Sequence, residues 1–161
     1  AIIQRMRELA VQASTDTLTD KDRELIDLEF QELKKEITRI STDTNFNTKA
    51  LLNGDHSNTP LKIQVGANSG QTIDLFINGV SSTDIGIDTL SIATRNQANA
   101  AIKGMDDALH YVSSERSRLG AYQNRLEHAY NVSENTAENL TAAESRIRDA
   151  DIAKEMMNFH Y

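Results

Sequence analysis

The residue types that most often do chemistry are present, but their spacing does not bring them together. The four histidines, His56, His110, His128 and His160, form no i, i+3 or i, i+4 pair on one helical face and no HExxH, so three convergent metal ligands are not visible. Asp149, Asp151 and Glu155 resemble a carboxylate cluster, yet they stand among Arg146, Arg148 and Lys154, where solvated helical ion pairs are the simple account. No GxSxG elbow, GxxxxGK[ST] loop or strand-linked GxGxxG occurs, and the Gly66 to Gly70 stretch reads as a turn rather than a phosphate cradle. With no cysteine, disulfides, thiolate metal sites and thiol nucleophiles are excluded. The pattern predicts a chain that is no enzyme and needs no metal or cofactor.

Charge narrows the partners further. The 161 residues carry 24 Asp and Glu against 17 Lys and Arg, a net charge of −7, and no basic run exceeds Lys34-Lys35. Phosphate backbones are bound by clustered cations, so nucleic acid is not an expected partner. Apolar runs are only a few residues long, against about 20 for a bilayer-spanning helix, so a membrane is not expected either. The length and the 39% hydrophobic content suit one domain with its own core. Asn131-Val-Ser133 and Asn139-Leu-Thr141 match the glycosylation triplet but fall on a predicted helix rather than a loop.

The elements that position these side chains are mainly helical. Over residues 1–14, Ile2, Met6, Leu9, Ala10 and Ala13 recur at helical spacing, with Arg5, Arg7, Glu8 and Gln12 on the other face. The helical pattern is already running at Ala1, so the chain reads as part of a longer one. A second helix is predicted over 20–42, started by Thr19 with an acidic residue three positions on. Its Ile26, Phe30, Leu33, Ile37 and Ile40 are spaced as a coiled-coil seam, and Glu29 lies off that seam.

Residues 61–77 alternate as a β-hairpin, and 78–95 form a connection with one extended piece at Ile85 to Leu90. A long helix is then predicted over 96–147, because Met105, Val112, Leu119, Leu126, Ser133, Leu140 and Ile147 fall seven apart with no proline between them. Such a helix is about 78 Å long, whereas a compact domain of this size has a radius of gyration near 15 Å. Residues 148–161 open a terminal segment. Gly104 and Gly120 inside the long helix suggest close packing by another backbone. The expected fold is therefore mainly α, an elongated helical bundle or coiled-coil rod with a small β-hairpin.

Four strings are more specific than any periodicity: Gln4-Arg-Met-Arg-Glu-Leu-Ala-Val-Gln12, Lys62-Ile-Gln-Val-Gly-Ala-Asn68, Leu119-Gly-Ala-Tyr-Gln-Asn-Arg-Leu126 and Ala142-Ala-Glu-Ser-Arg-Ile-Arg-Asp-Ala-Asp151. Together they resemble bacterial flagellin, and the likeness covers nearly the whole chain in the family's order, closest to the rod domain called D1. The resemblance implies a filament subunit of the flagellum, lacking here the terminal helices and outer domains. It implies export through the flagellum's own type III secretion channel to an extracellular filament. The implied partners are other flagellin subunits, an export chaperone and the filament cap, with the chain by itself monomeric.

The resemblance also implies recognition by Toll-like receptor 5 through Arg5, Leu9 and Glu29, with Gln12 nearby. In that reading Arg5 offers a forked donor and Leu9 a small apolar anchor. A hook-filament junction protein is the neighbouring alternative, and the Gln4 to Gln12 and Lys62 to Asn68 strings favour the repeating subunit. Two positions depart from the family: Thr48 stands where many members have glycine, and Ser133 occupies a heptad position often apolar in relatives.

Overall fold

The computed structural model describes residues 2–46, 48–65, 70–129 and 138–148. Helix α1 runs Ile2–Ala13 and buries Ile3, Met6, Leu9, Ala10 and Ala13, an apolar stripe at 3.6-residue spacing. Helix α2 runs Asp20–Asp43. Thr19 caps it by accepting from the Asp22 N–H at 3.2 Å, while the Asp22 carboxylate accepts from the Thr19 N–H at 3.0 Å, the reciprocal box that the sequence predicts. Phe30 and Ile37 are buried on its inner face, with Ile26 and Leu33 packed partly against the same core.

Between α2 and the longer hairpin lies a second, shorter strand pair. Strands β1 (Asn45–Phe46) and β2 (Lys49–Ala50) pair antiparallel, Asn45 opposite Ala50 and Phe46 opposite Lys49. Phe46, Leu51 and Leu52 are buried there and tie the end of α2 to the core. Strands β3 (Leu61–Gln64) and β4 (Thr72–Leu75) form the expected hairpin, in the register Leu61 to Leu75 and Gln64 to Thr72. Leu61, Ile63 and Leu75 point inward, as the alternation requires.

The connection after β4 contains turns rather than the extended piece expected at Ile85 to Leu90, yet Val80, Ile85, Ile87 and Ile92 are buried. Its backbone is held by side chains of α2. Lys34 donates to the carbonyls of Asp88 and Leu90, Ser82 Oγ donates to Lys34 O, and the Ile92 N–H donates to Asp27.

Helix α3 runs Arg95–His128 and buries Ala98, Ala101, Met105, Ala108, Val112, Leu119 and Leu126 against the core. Its 34 residues span about 51 Å, so the bundle is elongated. The single helix expected over 96–147 is corrected here. Ala129 is extended, at φ −82° and ψ 134°, and residues 138–148 form a separate helical piece that folds back on the bundle. In one continuous helix Gln123 and Thr141 would be about 27 Å apart, whereas Gln123 Nε2 donates to Thr141 Oγ1 at 2.7 Å. Leu140, Ala143 and Ile147 are buried by this return.

The two glycines of α3 differ. The backbone approach expected at both glycines is corrected: an added Cβ at Gly104 would lie 2.6 Å from Leu90 Cδ1, a side-chain neighbour, and at Gly120 it would meet nothing within 4 Å. Position Ser133 and the carboxylates Asp149, Asp151 and Glu155 lie outside the described residues, as does most of the segment 148–161.

Candidate functional site

Helix α1 packs against both α2 and α3, and its polar residues brace it to each. Arg5 and Arg7 are two positions apart, so their side chains leave the helix in different directions. Arg5 reaches α2, where Nε donates to Glu29 Oε2 at 2.7 Å and a terminal nitrogen donates to Oε1 at 3.1 Å. The second carboxylate near it is Glu8, at 3.7 Å. Arg7 reaches the other way and donates to Asp106 of α3 at 2.6 Å. These pairs are partly solvated, so each stabilises the fold only modestly, and their effect is to set the register of three helices.

Of the residues expected at a receptor face, the structure brings Arg5 and Glu29 together and leaves Gln12 exposed one helical stretch further along α1. Leu9 is 3% exposed. It belongs to the stripe of Ile3, Met6 and Ala13, so the apolar anchor expected at the centre of the patch is a core side chain in this structure. The Arg5 guanidinium, expected as a forked donor, is engaged bidentately by Glu29.

Two charged groups that the sequence reading passes over do structural work. Arg23 is 5% exposed, donating to the carbonyls of Ala13 at 2.7 Å and Thr15 at 2.9 Å and to Asp20 at 2.8 Å. It satisfies the last carbonyl of α1, Ala13 O, and a carbonyl of the turn that follows, Thr15 O, an alternative to a glycine cap. Glu115, 4% exposed, accepts from the Asn78 backbone and side chain and from Arg118, anchoring the connection to α3. The signal for both was available: each charge sits on an apolar stripe, Arg23 seven before Phe30 and Glu115 between Val112 and Leu119. Tyr111 adds a third tie, donating to Gly79 O at 2.7 Å, and burial raises its phenol above the ordinary value.

Among the described residues no group of three metal-ligating side chains converges, and no helix is long and apolar enough to cross a membrane. His56 is buried in a turn, its Nδ1 3.1 Å from Thr59 O. The arrangement defines a class before a family: an elongated, cross-braced helical module whose charges are spent on bracing, the architecture of a structural or interaction protein.

The comparisons with known proteins are specific. Residues 1–57 match the bacterial flagellin N-terminal helical region and residues 102–161 the bacterial flagellin C-terminal helical region. The flagellin of Halalkalibacterium halodurans is 48% identical over 161 residues, covering 99% of this chain and 58% of that protein. A putative flagellin of Bacillus subtilis, YvzB, is 43% identical over 129 residues, covering 79% of this chain and 80% of its own length. The crystal structure of Bacillus cereus flagellin superposes with a TM-score of 0.68 at 32% identity, covering 88% of this chain and 81% of that one. FliC from Burkholderia pseudomallei shares the fold, with a TM-score of 0.62 at 20% identity over 77% of this chain. The chain belongs to the bacterial flagellin family. It spans about three fifths of the length of several of these relatives, 58% of the first and 63% of a second from Bacillus subtilis.

Proposed function

We propose that this chain is the rod-forming part of a flagellar filament subunit, a structural protein of motility with no catalytic role. The observation that supports this best is the cross-braced helical layer itself, with Arg5 joining α1 to α2 and Arg7 joining α1 to α3, in a chain of the flagellin family. A subunit of a filament under torque must transmit load without changing register, and α1 is tied by an ion pair to each of the two helices it packs against. In this reading the subunit acts outside the cell after export through the flagellar channel, and its partners are further flagellin subunits, the export chaperone and the cap. Relatives at 43% and 48% identity are named as flagellins, which favours the repeating subunit over a hook-filament junction protein. The test is complementation: a whole flagellin containing this rod, expressed in a strain without flagellin, is expected to restore filaments and swimming. Secreted subunit that forms no filament overturns the reading.

A second reading concerns the face carrying Arg5, Gln12 and Glu29 as a ligand for Toll-like receptor 5. What supports it is that the Arg5 and Glu29 side chains stand together on adjacent helices, each still partly solvated. The receptor would meet a preformed ion pair, and Leu9 would contribute by holding α1 in place rather than by touching the partner. Binding of the chain to the purified receptor ectodomain tests this; no binding by the folded chain would remove it and leave the structural role untouched.

A further inference from the structure

The sequence holds the dipeptide Asn-Gly twice, at Asn53-Gly54 and Asn78-Gly79. Asparagine is thermally labile, and a following glycine, with no Cβ, leaves its nitrogen open to the asparagine side chain. The fold sets the two dipeptides against each other: a Cβ on Gly79 would lie 3.0 Å from the Gly54 nitrogen. Among the described residues neither glycine N–H donates a hydrogen bond, so both nitrogens are available and the surroundings of the two asparagines make the difference.

Asn78 is clamped. Its Nδ2 donates to Glu115 Oε1 at 2.7 Å and its N–H to Glu115 Oε2 at 3.2 Å, a carboxylate that α3 keeps buried. Gly79 is buried as well, and the Asp84 carboxylate fills the space where its Cβ would stand. Asn53 is exposed, and its amide is held by Asp55, also exposed and two residues on. Asn53 Oδ1 accepts from the Asp55 N–H at 3.0 Å, and Nδ2 donates to Asp55 Oδ2 at 3.0 Å. This Asx turn carries the side-chain amide alongside the Asn53-Gly54 peptide and leaves it in water.

We propose that Asn53 is a site of spontaneous deamidation, and that the Glu115 clamp protects Asn78 from the same reaction. Hydroxide takes the Gly54 N–H proton, the nitrogen bonds to Asn53 Cγ, and the Cγ–Nδ2 bond breaks; the departing nitrogen takes a proton from water and leaves as ammonia. Water then opens the succinimide ring, at Cγ to give aspartate or at the main-chain carbonyl of residue 53 to give isoaspartate, whose backbone is one carbon longer. Each conversion adds one negative charge and needs no enzyme. The altered residue lies between Leu52, whose carbonyl accepts from the Val80 N–H at 2.9 Å, and His56, whose carbonyl accepts from the Ile77 N–H at 3.0 Å. A longer backbone there shifts the two carbonyls relative to each other, so the isoaspartate form holds residues 77–80 less firmly.

The test is to age the folded chain in mildly alkaline buffer and to map its peptides by mass spectrometry, with fragmentation that tells isoaspartate from aspartate. Asn53 is expected to convert at least tenfold faster than Asn78, at a rate that rises with pH. In chain kept unfolded by urea the two are expected to convert at similar rates, because the clamp is gone. An Asn53 that keeps its amide in the folded chain overturns the proposal, as does an Asn78 that loses its own equally fast. An Asn78 that stays intact in urea as well overturns its protection by the fold. The isoaspartate form, separated by chromatography, is expected to melt below an Asn53→Asp chain of the same charge; equal melting temperatures would overturn the loosening of residues 77–80.

Discussion

Arg5 of α1 holds Glu29 of α2 through two parallel hydrogen bonds, 2.7 Å and 3.1 Å long, across 24 positions of sequence. Bidentate geometry makes the pair directional, so it orients two helices as well as attracting them. With the Arg5 side chain 27% and the Glu29 side chain 46% exposed, solvent screens most of the Coulomb energy.

Two different magnitudes should therefore separate folding from recognition. Arg5→Ala and Glu29→Ala are each expected to cost less than about 1 kcal/mol of folding stability, while weakening receptor binding, if this face is the ligand, by about 1 to 3 kcal/mol. Urea unfolding and surface-immobilised binding measure the two separately. Leu9→Ala is expected to behave the other way, with about 2 to 5 kcal/mol lost from stability because it opens a core cavity. Binding that falls for Leu9→Ala in a chain of undiminished stability would contradict its placement in the core.

The glycines of α3 should respond with opposite sign. Gly120→Ala adds a methyl group to open space and removes glycine's backbone freedom, so a gain of about 1 kcal/mol is expected. Gly104→Ala drives a Cβ to 2.6 Å from Leu90 Cδ1, so the Leu90 side chain must turn aside while its backbone stays held by hydrogen bonds from Lys34 and Gln31 to its carbonyl. Overpacking there is expected to cost about 1 to 2 kcal/mol. Thermal melts of the two variants beside the parent decide the matter; a common sign would show that the packing around Gly104 relaxes freely.

Thr48 has φ of +66°, a left-handed conformation that a β-branched residue adopts with strain. It lies between β1 and β2, just before Lys49. Thr48→Gly relieves that strain but adds freedom to the unfolded chain, and the balance of the two is expected to stabilise by about 0.5 to 1 kcal/mol. A melting temperature at or below that of the parent would mean that the threonine side chain contributes more than the strain costs.

Acid should weaken α2 from its first turn. Backbone and side-chain hydrogen bonds from Thr19 hold the Asp22 carboxyl below its ordinary value of 3.8. Its folded-state affinity for protons is thus lower than in the unfolded chain, so this contribution is complete above pH 3.8 and is lost as pH falls through the lower folded value. Thr19→Ala removes the cap, costs about 1 kcal/mol at neutral pH, and should make stability less steep in acid. Stability against pH for parent and variant, followed by circular dichroism, gives the comparison; parallel acid limbs would remove Asp22 from the account.

Much of this protein is legible in its sequence because the signals are local. A 3.6-residue apolar period places α1, α2 and most of α3, alternation places β3 and β4, and the Thr19 to Asp22 spacing marks a helix start that the backbone then uses. Each of these signals acts within a turn or two of chain, where neighbouring residues alone decide which backbone geometry is favoured.

Where helices end and which charges meet is decided elsewhere. A periodic stripe says that Leu9 is buried against something, but the partner that covers it comes from tertiary structure, and a likeness between families places a side chain in a motif without saying how deep it lies. Arg5 and Glu29, Arg7 and Asp106, and Glu115 and Asn78 are separated by 24, 99 and 37 positions, distances over which no local pattern operates. The heptad through Ile147 describes a helix that the backbone could form, and the folded chain breaks it at Ala129 because burying Leu140, Ala143 and Ile147 against the bundle outweighs a few helical hydrogen bonds. Local sequence determined the elements and their apolar faces; long-range packing alone decided their ends, their pairing and their depth.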